Sequence, residues 1–299
     1  MTIVAWLAGL ALLLRIANRT HIDVPAALAA KLPLLKSSPT LIFAGDSRTA
    51  FQVDPALAAQ LAGLAQGRAV NIAYLAGEPL AFLAAARSTP QVFRDATVVL
   101  SVTALISNEG ISNAAVFPPD VVARMMVGQQ MTTFLPMRVG TLVHYIRETF
   151  NARFADDRRV AIDGPEPAHG GLEMLPVQPG YAWPSDIASH QHYRNWNISG
   201  FKAQSEIAGL CELATLTKRL TVVLPPWAPQ YDRNKEPAWK DKDAQNATLI
   251  RSAGQRCGYD VLEFHAVPGL EQQHFADEQH INVLGISIYT RYLMSQLKL

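Results

Sequence analysis

The stretch Leu41-Ile42-Phe43-Ala44-Gly45-Asp46-Ser47 gives the clearest indication of how this chain folds. Its first four residues form a short apolar run, which is typical of a strand buried inside a parallel sheet. Asp54-Pro55 follows a few residues later, and an aspartate before a proline often starts a helix. We therefore expect Ser47 on a strand-to-helix loop, at the carboxyl edge of a sheet where ligands collect.

Apolar runs alternate with helical stretches along most of the chain, and this alternation predicts an α/β fold with a mostly parallel sheet. Strands are predicted at about 40–45, 68–74, 97–103, 220–225 and 259–264. Helices are predicted near 54–66, 79–87, 202–218, 241–256 and 282–297. Residues that directly follow strands meet at one sheet edge. Those residues are Ser47, Gly77, Thr103 and Trp227.

A second motif, Asp277-Glu278-Gln279-His280, lies just before the last predicted helix. A serine with a histidine base and an orienting aspartate is the set needed for nucleophilic acyl transfer. Taken alone, Gly45-Asp46-Ser47 also fits a common turn, and Asp277 and His280 also fit a helix cap with a solvated histidine. The strand-helix alternation brings both motifs to one sheet edge, which favours the catalytic interpretation.

With these two motifs in this order, the chain resembles the SGNH (GDSL-like) hydrolase superfamily over residues 38–103 and 200–299. The resemblance implies a three-layer α/β/α fold and a catalytic triad of Ser47, Asp277 and His280. It further implies an oxyanion hole formed by the backbone N–H groups of Ser47 and Gly77.

The third block of that family normally carries an asparagine, and the segment Val98 to Ile106 lacks one at the expected place. Thr103, Ser107 or Asn108 are the candidates to replace this oxyanion donor. The Gly-Asp-Ser-Arg sequence and an apolar N-terminus resemble a membrane-tethered branch that works in polysaccharide O-acetylation or teichoic acid D-alanylation. In that branch the partner is a membrane-bound O-acyltransferase.

Arg48 and Trp227 are the candidate substrate-binding residues. Arg48 follows the serine and can attract an anionic group, although an exposed arginine at a helix start is the alternative. Trp227 sits in the rigid loop 225–229, where its indole is expected to form one wall of the pocket. The aromatic and polar run 190–197 fits either a sugar-stacking surface or a packed surface loop.

Composition excludes several function classes. The chain has 299 residues, 49% of them hydrophobic, which is enough for one large α/β core. Its 26 basic and 25 acidic residues are evenly spread, so no basic stripe for nucleic acid is present. The sequence has no glycine-rich phosphate-binding motif, so a nucleotide cofactor is not indicated. His190, His192 and His274 lack the pattern of a metal site, and no metal is expected.

The N-terminal segment 1–20 contains an unbroken apolar run over residues 2–14, which predicts a signal anchor or signal segment. A buried core helix is the alternative. We expect the catalytic domain to face the periplasm or cell exterior, although Arg15 and Arg19 after the run favour the opposite orientation by the positive-inside rule.

Cys211 and Cys257 fit either a disulfide or two buried thiols.

The predicted organisation is a membrane segment at 1–20 and an SGNH-like domain at 38–299, with an insertion at about 104–200. The insertion is expected to carry helices near 119–130 and 138–153 and to cover the active site or dock a partner. The expected function is an extracytoplasmic, serine-dependent O-acyltransferase or esterase that acts on an acetyl-like group of a polysaccharide. The alternatives are a simple carbohydrate or lipid esterase and a non-catalytic adaptor of an acyltransferase complex.

Overall fold

The computed structural model describes residues 25–107, 167–177, 196–230, 237–297 and 299. Several sequence predictions lie outside these described residues. They are the membrane segment 1–20, the helices near 119–130 and 138–153, Asn108, His190 and His192. Among the helices of the described ranges, none has the length and hydropathy to cross a bilayer.

A five-stranded sheet forms the centre of the molecule, and all of its neighbouring strands pair in parallel. The strands are β1 Leu41–Ala44, β2 Ala69–Asn71, β3 Thr97–Ser101, β4 Arg219–Leu224 and β5 Asp260–Glu263. Their spatial order is β2-β1-β3-β4-β5. The prediction of an α/β fold with a mostly parallel sheet is thus confirmed.

The helices connect these strands and flank the sheet. They are α1 Ala26–Ala29, α2 Ser47–Gln52, α3 Pro55–Leu61, α4 Pro79–Ser88, α5 Pro90–Asp95, α6 Phe201–Leu216, α7 Pro237–Cys257 and α8 Ile286–Gln296. Short 3-10 helices occur at Leu32–Ser37, Ala104–Ser107, Ala168–Gly171 and Gln272–His274. The last helix begins later than the predicted residue 282, because Ile281 pairs with Phe275 in an antiparallel bridge and a turn follows.

Alternate strand side chains point to opposite faces of the sheet, and each face is covered by its own helices. On one face Ile42 and Val98 pack with residues of α4, α6 and α7, such as Phe82, Leu210 and Ile250. On the other face Phe43 and Val99 pack with residues of α3 and α8, such as Ala58 and Leu293. The result is three layers, helices on both sides of one sheet.

The core also includes residues that precede the predicted domain start at 38. Leu28, Leu32 and Leu35 are buried in the cluster formed with α4, α6 and α7. Between them, the buried Lys31 ammonium donates to the carbonyls of Ala73 and Gly171 and lies 2.7 Å from a carboxylate oxygen of Glu173. This lysine holds segment 167–177 against the loop that follows β2.

The strand order places a crevice at a definite point of the sheet. The chain passes from β1 outward to β2 and then returns to β3 on the opposite side of β1. In open parallel sheets, the crevice outside the carboxyl ends of such strands is the usual ligand site. Ser47 lies directly beyond the end of β1, at this crevice.

A disulfide joins α6 to α7. Cys211 and Cys257 are bonded, their Cα atoms are 5.1 Å apart, and they lie 46 positions apart in the sequence. Of the two alternatives that the sequence left open, the structure shows the disulfide. Structural disulfides persist mainly in oxidising compartments such as the periplasm or the cell exterior.

Removal of this disulfide should lower the free energy of unfolding. For a closed loop of this length, the loss of constraint on the unfolded chain amounts to about 4 kcal/mol. We expect the Cys211→Ala/Cys257→Ala variant to unfold at a lower urea concentration than the oxidised wild type. A reductant should shift the wild type and leave the double variant unchanged. Equal midpoints for the oxidised wild type and the double variant would contradict the prediction.

Candidate active site

Ser47 is the first residue of α2, a six-residue helix that the sequence did not predict. Asp46 is its N-cap, and the Asp46 side chain accepts the N–H of Arg48 at 3.0 Å. The prediction had placed Ser47 on a loop that continued to Asp54. The first N–H groups of a helix have no acceptor within the helix, so the Ser47 N–H is suited to an oxyanion.

The three residues of the predicted triad form one continuous hydrogen-bonded chain. Ser47 Oγ lies 2.8 Å from His280 Nε2, and His280 Nδ1 lies 2.7 Å from Asp277 Oδ2. With the imidazole neutral and protonated on Nδ1, the ring donates to Asp277 and accepts the serine hydroxyl. This is the geometry that a general base needs to take the serine proton.

Asp277 is fixed by more than its bond to the imidazole. Its Oδ1 accepts the backbone N–H groups of Gln279 at 2.9 Å and of His280 at 2.8 Å. Burial raises the pKa of Asp277, but the hydrogen bond and charge of His280 and the two backbone N–H groups outweigh it and leave the pKa lowered. The carboxylate is therefore ionised and oriented towards the imidazole at neutral pH.

The loop that carries His280 is also held by α2. Gln52 Nε2 donates to the carbonyl of Gln279 at 2.6 Å, and the Phe51 ring packs edge-on against the imidazole with centroids 5.5 Å apart. The N–H of Ala276 donates to the carbonyl of His280 at 2.7 Å. Because α2 carries the serine as well, one short helix positions both the nucleophile and the base.

Buried polar contacts fix α2 to the sheet. Thr49 Oγ1 shares a short hydrogen bond with Ser101 Oγ at the end of β3. Asn71, at the end of β2, donates from Nδ2 to the carbonyls of Thr49 at 2.8 Å and Val53 at 3.0 Å. These carbonyls lie at the carboxyl end of α2, where Thr49 also accepts the N–H of the C-cap residue Val53 at 3.4 Å.

Two glycines allow the loops after β1 and β2 to approach each other. Gly45 has φ +134°, and a Cβ at this position would overlap Ser101. A Cβ on Gly77 would overlap the carbonyl of Gly45. The Gly77 N–H donates to the carbonyl of Tyr74 at 3.0 Å. To bind an oxyanion, the Gly77 N–H has to release the Tyr74 carbonyl or donate to both acceptors at once. Its role in the oxyanion hole stays a prediction.

The candidates for the third oxyanion donor differ in their surroundings. Ser107 is fully buried, and its hydroxyl donates to Asn246 Oδ1 at 2.8 Å. Thr103 follows β3 and lines a cavity of about 300 Å³. Within the described residues, Thr103 is therefore the candidate with access to a ligand.

The same cavity brings together both predicted substrate-binding residues. Arg48 and Trp227 line it, and the guanidinium carbon lies 4.1 Å from the centroid of the indole. Arg48 is 4% exposed, so the alternative of a solvent-exposed arginine was wrong. The N–H of Ala228 donates to the carbonyl of Glu278 at 3.0 Å, which ties the tryptophan loop to the triad loop.

A buried ionic cluster beside the loop 74–78 was missed by the sequence analysis. The Lys202 ammonium lies 2.5 Å from Glu78, while Glu206 accepts the N–H of Leu80 at 3.0 Å in the first turn of α4. Burial raises the pKa of both Glu78 and Glu206, and the charge of Glu78 raises that of Glu206 further. The lysine balances one carboxylate, so Glu206 retains its proton most strongly.

This cluster predicts a specific pH dependence of stability. Because the folded pKa of Glu206 is raised above its unfolded value, its stabilising contribution is complete at acid pH and is lost as the pH rises through the folded pKa. Glu206→Gln keeps an acceptor for Leu80 but cannot ionise. We expect the free energy of unfolding of this variant, relative to wild type, to increase between pH 5 and pH 9, as measured in urea.

Glu212→Gln is the matched control on the same helix, because Glu212 pairs with Arg87 nearer the surface. Its difference from wild type should stay constant across the same pH range. A constant difference for Glu206→Gln would show that Glu206 is already ionised in the folded protein at pH 5, and would contradict a raised pKa.

No metal site accompanies the triad within the part of the chain that the structure describes. Groups of His, Cys, Asp and Glu with ligand geometry are absent there. His274, the histidine nearest to the triad in sequence, accepts the backbone N–H of Glu271 through Nδ1 at 2.8 Å. It caps the 3-10 helix Gln272–His274 and contributes to the local turn.

Neither a family model nor a curated protein matches this sequence. Among solved structures, LAE5, an alpha/beta hydrolase enzyme from the metagenome of Lake Arreo, is 12% identical, with 85% of this chain and 93% of that chain covered and a TM-score of 0.40. An acetylxylan esterase from Geobacillus stearothermophilus is 12% identical over 87% and 94%, with a TM-score of 0.39. A carbohydrate acetylesterase family member from Sinorhizobium meliloti is 12% identical over 86% and 96%, with a TM-score of 0.31. At these scores the similarities do not assign an activity to this chain.

Proposed function

We propose that this protein is a serine-dependent enzyme that breaks or transfers acyl esters through an acyl-enzyme on Ser47. The observation that carries the proposal is the hydrogen-bonded chain from Ser47 to His280 to Asp277, with distances of 2.8 and 2.7 Å. A non-catalytic adaptor has no need to align these side chains. Their alignment therefore favours catalysis over the adaptor alternative.

In the proposed first half-reaction, Ser47 Oγ attacks the ester carbonyl while its proton passes to His280 Nε2. The oxyanion that forms is stabilised by the N–H of Ser47 and by Gly77 once its bond to Tyr74 is released. His280 then gives the proton to the departing alkoxide. In the second half-reaction His280 activates the acceptor, which is water in an esterase and a sugar hydroxyl in a transferase.

We infer an acetyl-like acyl group on a cell-envelope or secreted polysaccharide as the substrate. Support comes from the resemblance in the sequence motifs and from the aromatic wall that Trp227 contributes to the adjacent cavity. The disulfide between Cys211 and Cys257 supports an extracytoplasmic location. A membrane anchor at 1–20 and a membrane-bound O-acyltransferase as partner are the corresponding proposals for its surroundings.

Replacement of the nucleophile tests this proposal. We expect Ser47→Ala to reduce the rate of hydrolysis of an aryl acetate by about 10³–10⁴-fold, and Asp277→Asn to cause a loss of similar order. Ser295→Ala is a matched control, because the hydroxyl of this exposed serine forms its hydrogen bonds in the described structure with Tyr292 and Gln296 of the same helix. Turnover that survives in Ser47→Ala would rule out the acyl-enzyme.

An acetylated oligosaccharide together with an unacetylated acceptor then separates the two reactions. Acetate released into solution indicates an esterase, whereas acetyl found on the acceptor indicates a transferase. If neither product depends on Ser47, the adaptor becomes the better interpretation. Co-purification with a membrane-bound acyltransferase would then test the adaptor interpretation directly.

A further inference from the structure

We propose that the cavity lined by Arg48 and Trp227 is a subsite for a sugar that carries a carboxylate, with Arg48 as the residue that binds this charge. The inference rests on the proposed function, because it names the substrate class of the same site. It implies that the enzyme acts on an acidic polysaccharide.

The first step of the argument is the incomplete pairing of the Arg48 guanidinium. The residue is only 4% exposed, yet within the described residues the only hydrogen-bond acceptor of its guanidinium is the carbonyl of Pro225 at 3.3 Å. Nε has no partner there, and no carboxylate forms an ion pair with the group. Buried charges are normally paired, because removal from water without a counterion is unfavourable.

The nearest carboxylate along the chain is already engaged elsewhere. Asp46 accepts the backbone N–H of Arg48 as the cap of α2. The guanidinium therefore keeps several donors for an outside acceptor, and its planar fork matches the two oxygens of a carboxylate. A ligand carboxylate in the cavity supplies the counterion that the protein does not.

The second step is that the guanidinium is held in place before a ligand arrives. One face of it stacks on Trp227, and Pro225 fixes one of its terminal nitrogens. Both residues belong to the loop after β4, which is tied to the triad loop through Ala228 and Glu278. A preorganised donor loses little conformational freedom on binding and therefore binds more tightly.

The third step is the size and chemistry of the cavity. Its volume of about 300 Å³ is at the small end for ligand sites, which suits one sugar residue. Trp227 and Phe264 supply aromatic surface for a sugar ring, while Thr103 and Asn246 supply hydroxyl and amide groups. These features match a sugar ring as well as its charge.

The other charges on the cavity wall limit the ligand to a single negative charge. Lys240 adds a positive charge, and Asp243 and Glu263 add negative ones, although Glu263 is paired with Arg251 and lies 3.4 Å from His265. Lys240 and Asp243 carry opposite charges and Arg251 balances Glu263, so Arg48 is the cation that remains for the ligand to balance. One carboxylate balances this charge, whereas a doubly charged phosphate would leave one negative charge without a partner.

The position of Arg48 connects this subsite to the chemistry. Arg48 follows Ser47 directly on α2, so their Cα atoms are about 3.8 Å apart. Ser47 and His280 are not among the described residues that line the cavity, so we infer that a carboxylate bound by Arg48 belongs to a sugar near the one that carries the acyl group. The enzyme would then recognise the carboxylate and the ester at a fixed spacing along the polymer.

Direct binding tests the proposal without any need for turnover. The Ser47→Ala protein is titrated with methyl glucuronoside, with methyl glucoside and with glucose 6-phosphate, and binding is followed by ligand-observed NMR. We expect the glucuronoside to bind at least about tenfold more tightly than the glucoside, and more tightly than the phosphate. Added salt should reduce this preference.

Two further variants assign the preference to a residue. Arg48→Met, which removes a buried charge at similar volume and is expected to fold, should abolish the preference for the glucuronoside. Lys240→Met, which removes the other cation of the cavity wall, should reduce the preference less than Arg48→Met does. Thermal unfolding of each variant checks that the fold is intact.

Several results would overturn the inference. They are absent binding of the glucuronoside, equal binding of the two methyl glycosides, tighter binding of the phosphate, and a preference that persists in Arg48→Met. Each leaves serine-dependent turnover unaffected as evidence for the proposed function. Conversely, a protein without turnover can still show the preference, so the two proposals fail separately.

Discussion

The attachment of α2 to the ends of β2 and β3 is the constraint on which the site depends. Asn71 takes up the carbonyls at the end of this helix, and Ser101 bonds to Thr49 within it. An isolated helix of six residues is unstable in water, since nucleation costs more than so few bonds return. Contacts with the sheet edge stabilise the helix, and these buried contacts fix the position of the serine.

A buried ionic cluster lies on one side of the site and a buried arginine on the other, and their charges are balanced in different ways. On the side of the loop 74–78, Lys202 and a proton together balance Glu78 and Glu206 within the protein. On the other side, Arg48 has a ring face and a carbonyl as partners, and no carboxylate in the described part of the chain. In the first arrangement the charges are balanced within the protein, whereas in the second the Arg48 guanidinium keeps donors on the cavity wall, which is the basis of the proposed subsite. This contrast distinguishes a positioning cluster from a binding group when both are buried.

Sequence reasoning was most successful where the signal is local. The apolar runs Leu41–Ala44 and Thr97–Ser101 identify strands by themselves, and Asp277 and His280 lie close enough in sequence for one turn to join them. The helix α2 was missed because six residues contain no full apolar period, although Asp46 was a possible cap signal. The pairing of Glu78 with Lys202 and the burial of Arg48 depend on contacts between distant parts of the chain, which no local pattern contains.

The disulfide between α6 and α7 has a consequence for the shape of the site as well as for stability. The first turn of α6 supplies Lys202 and Glu206, which hold the loop of Gly77, while α7 contributes Asp243 and Asn246 to the cavity. Cys211 and Cys257 lie further along these same two helices. The disulfide therefore joins the helix that supports the loop of Gly77 to the helix that contributes Asp243 and Asn246 to the cavity, and so restrains the distance between these two parts of the structure.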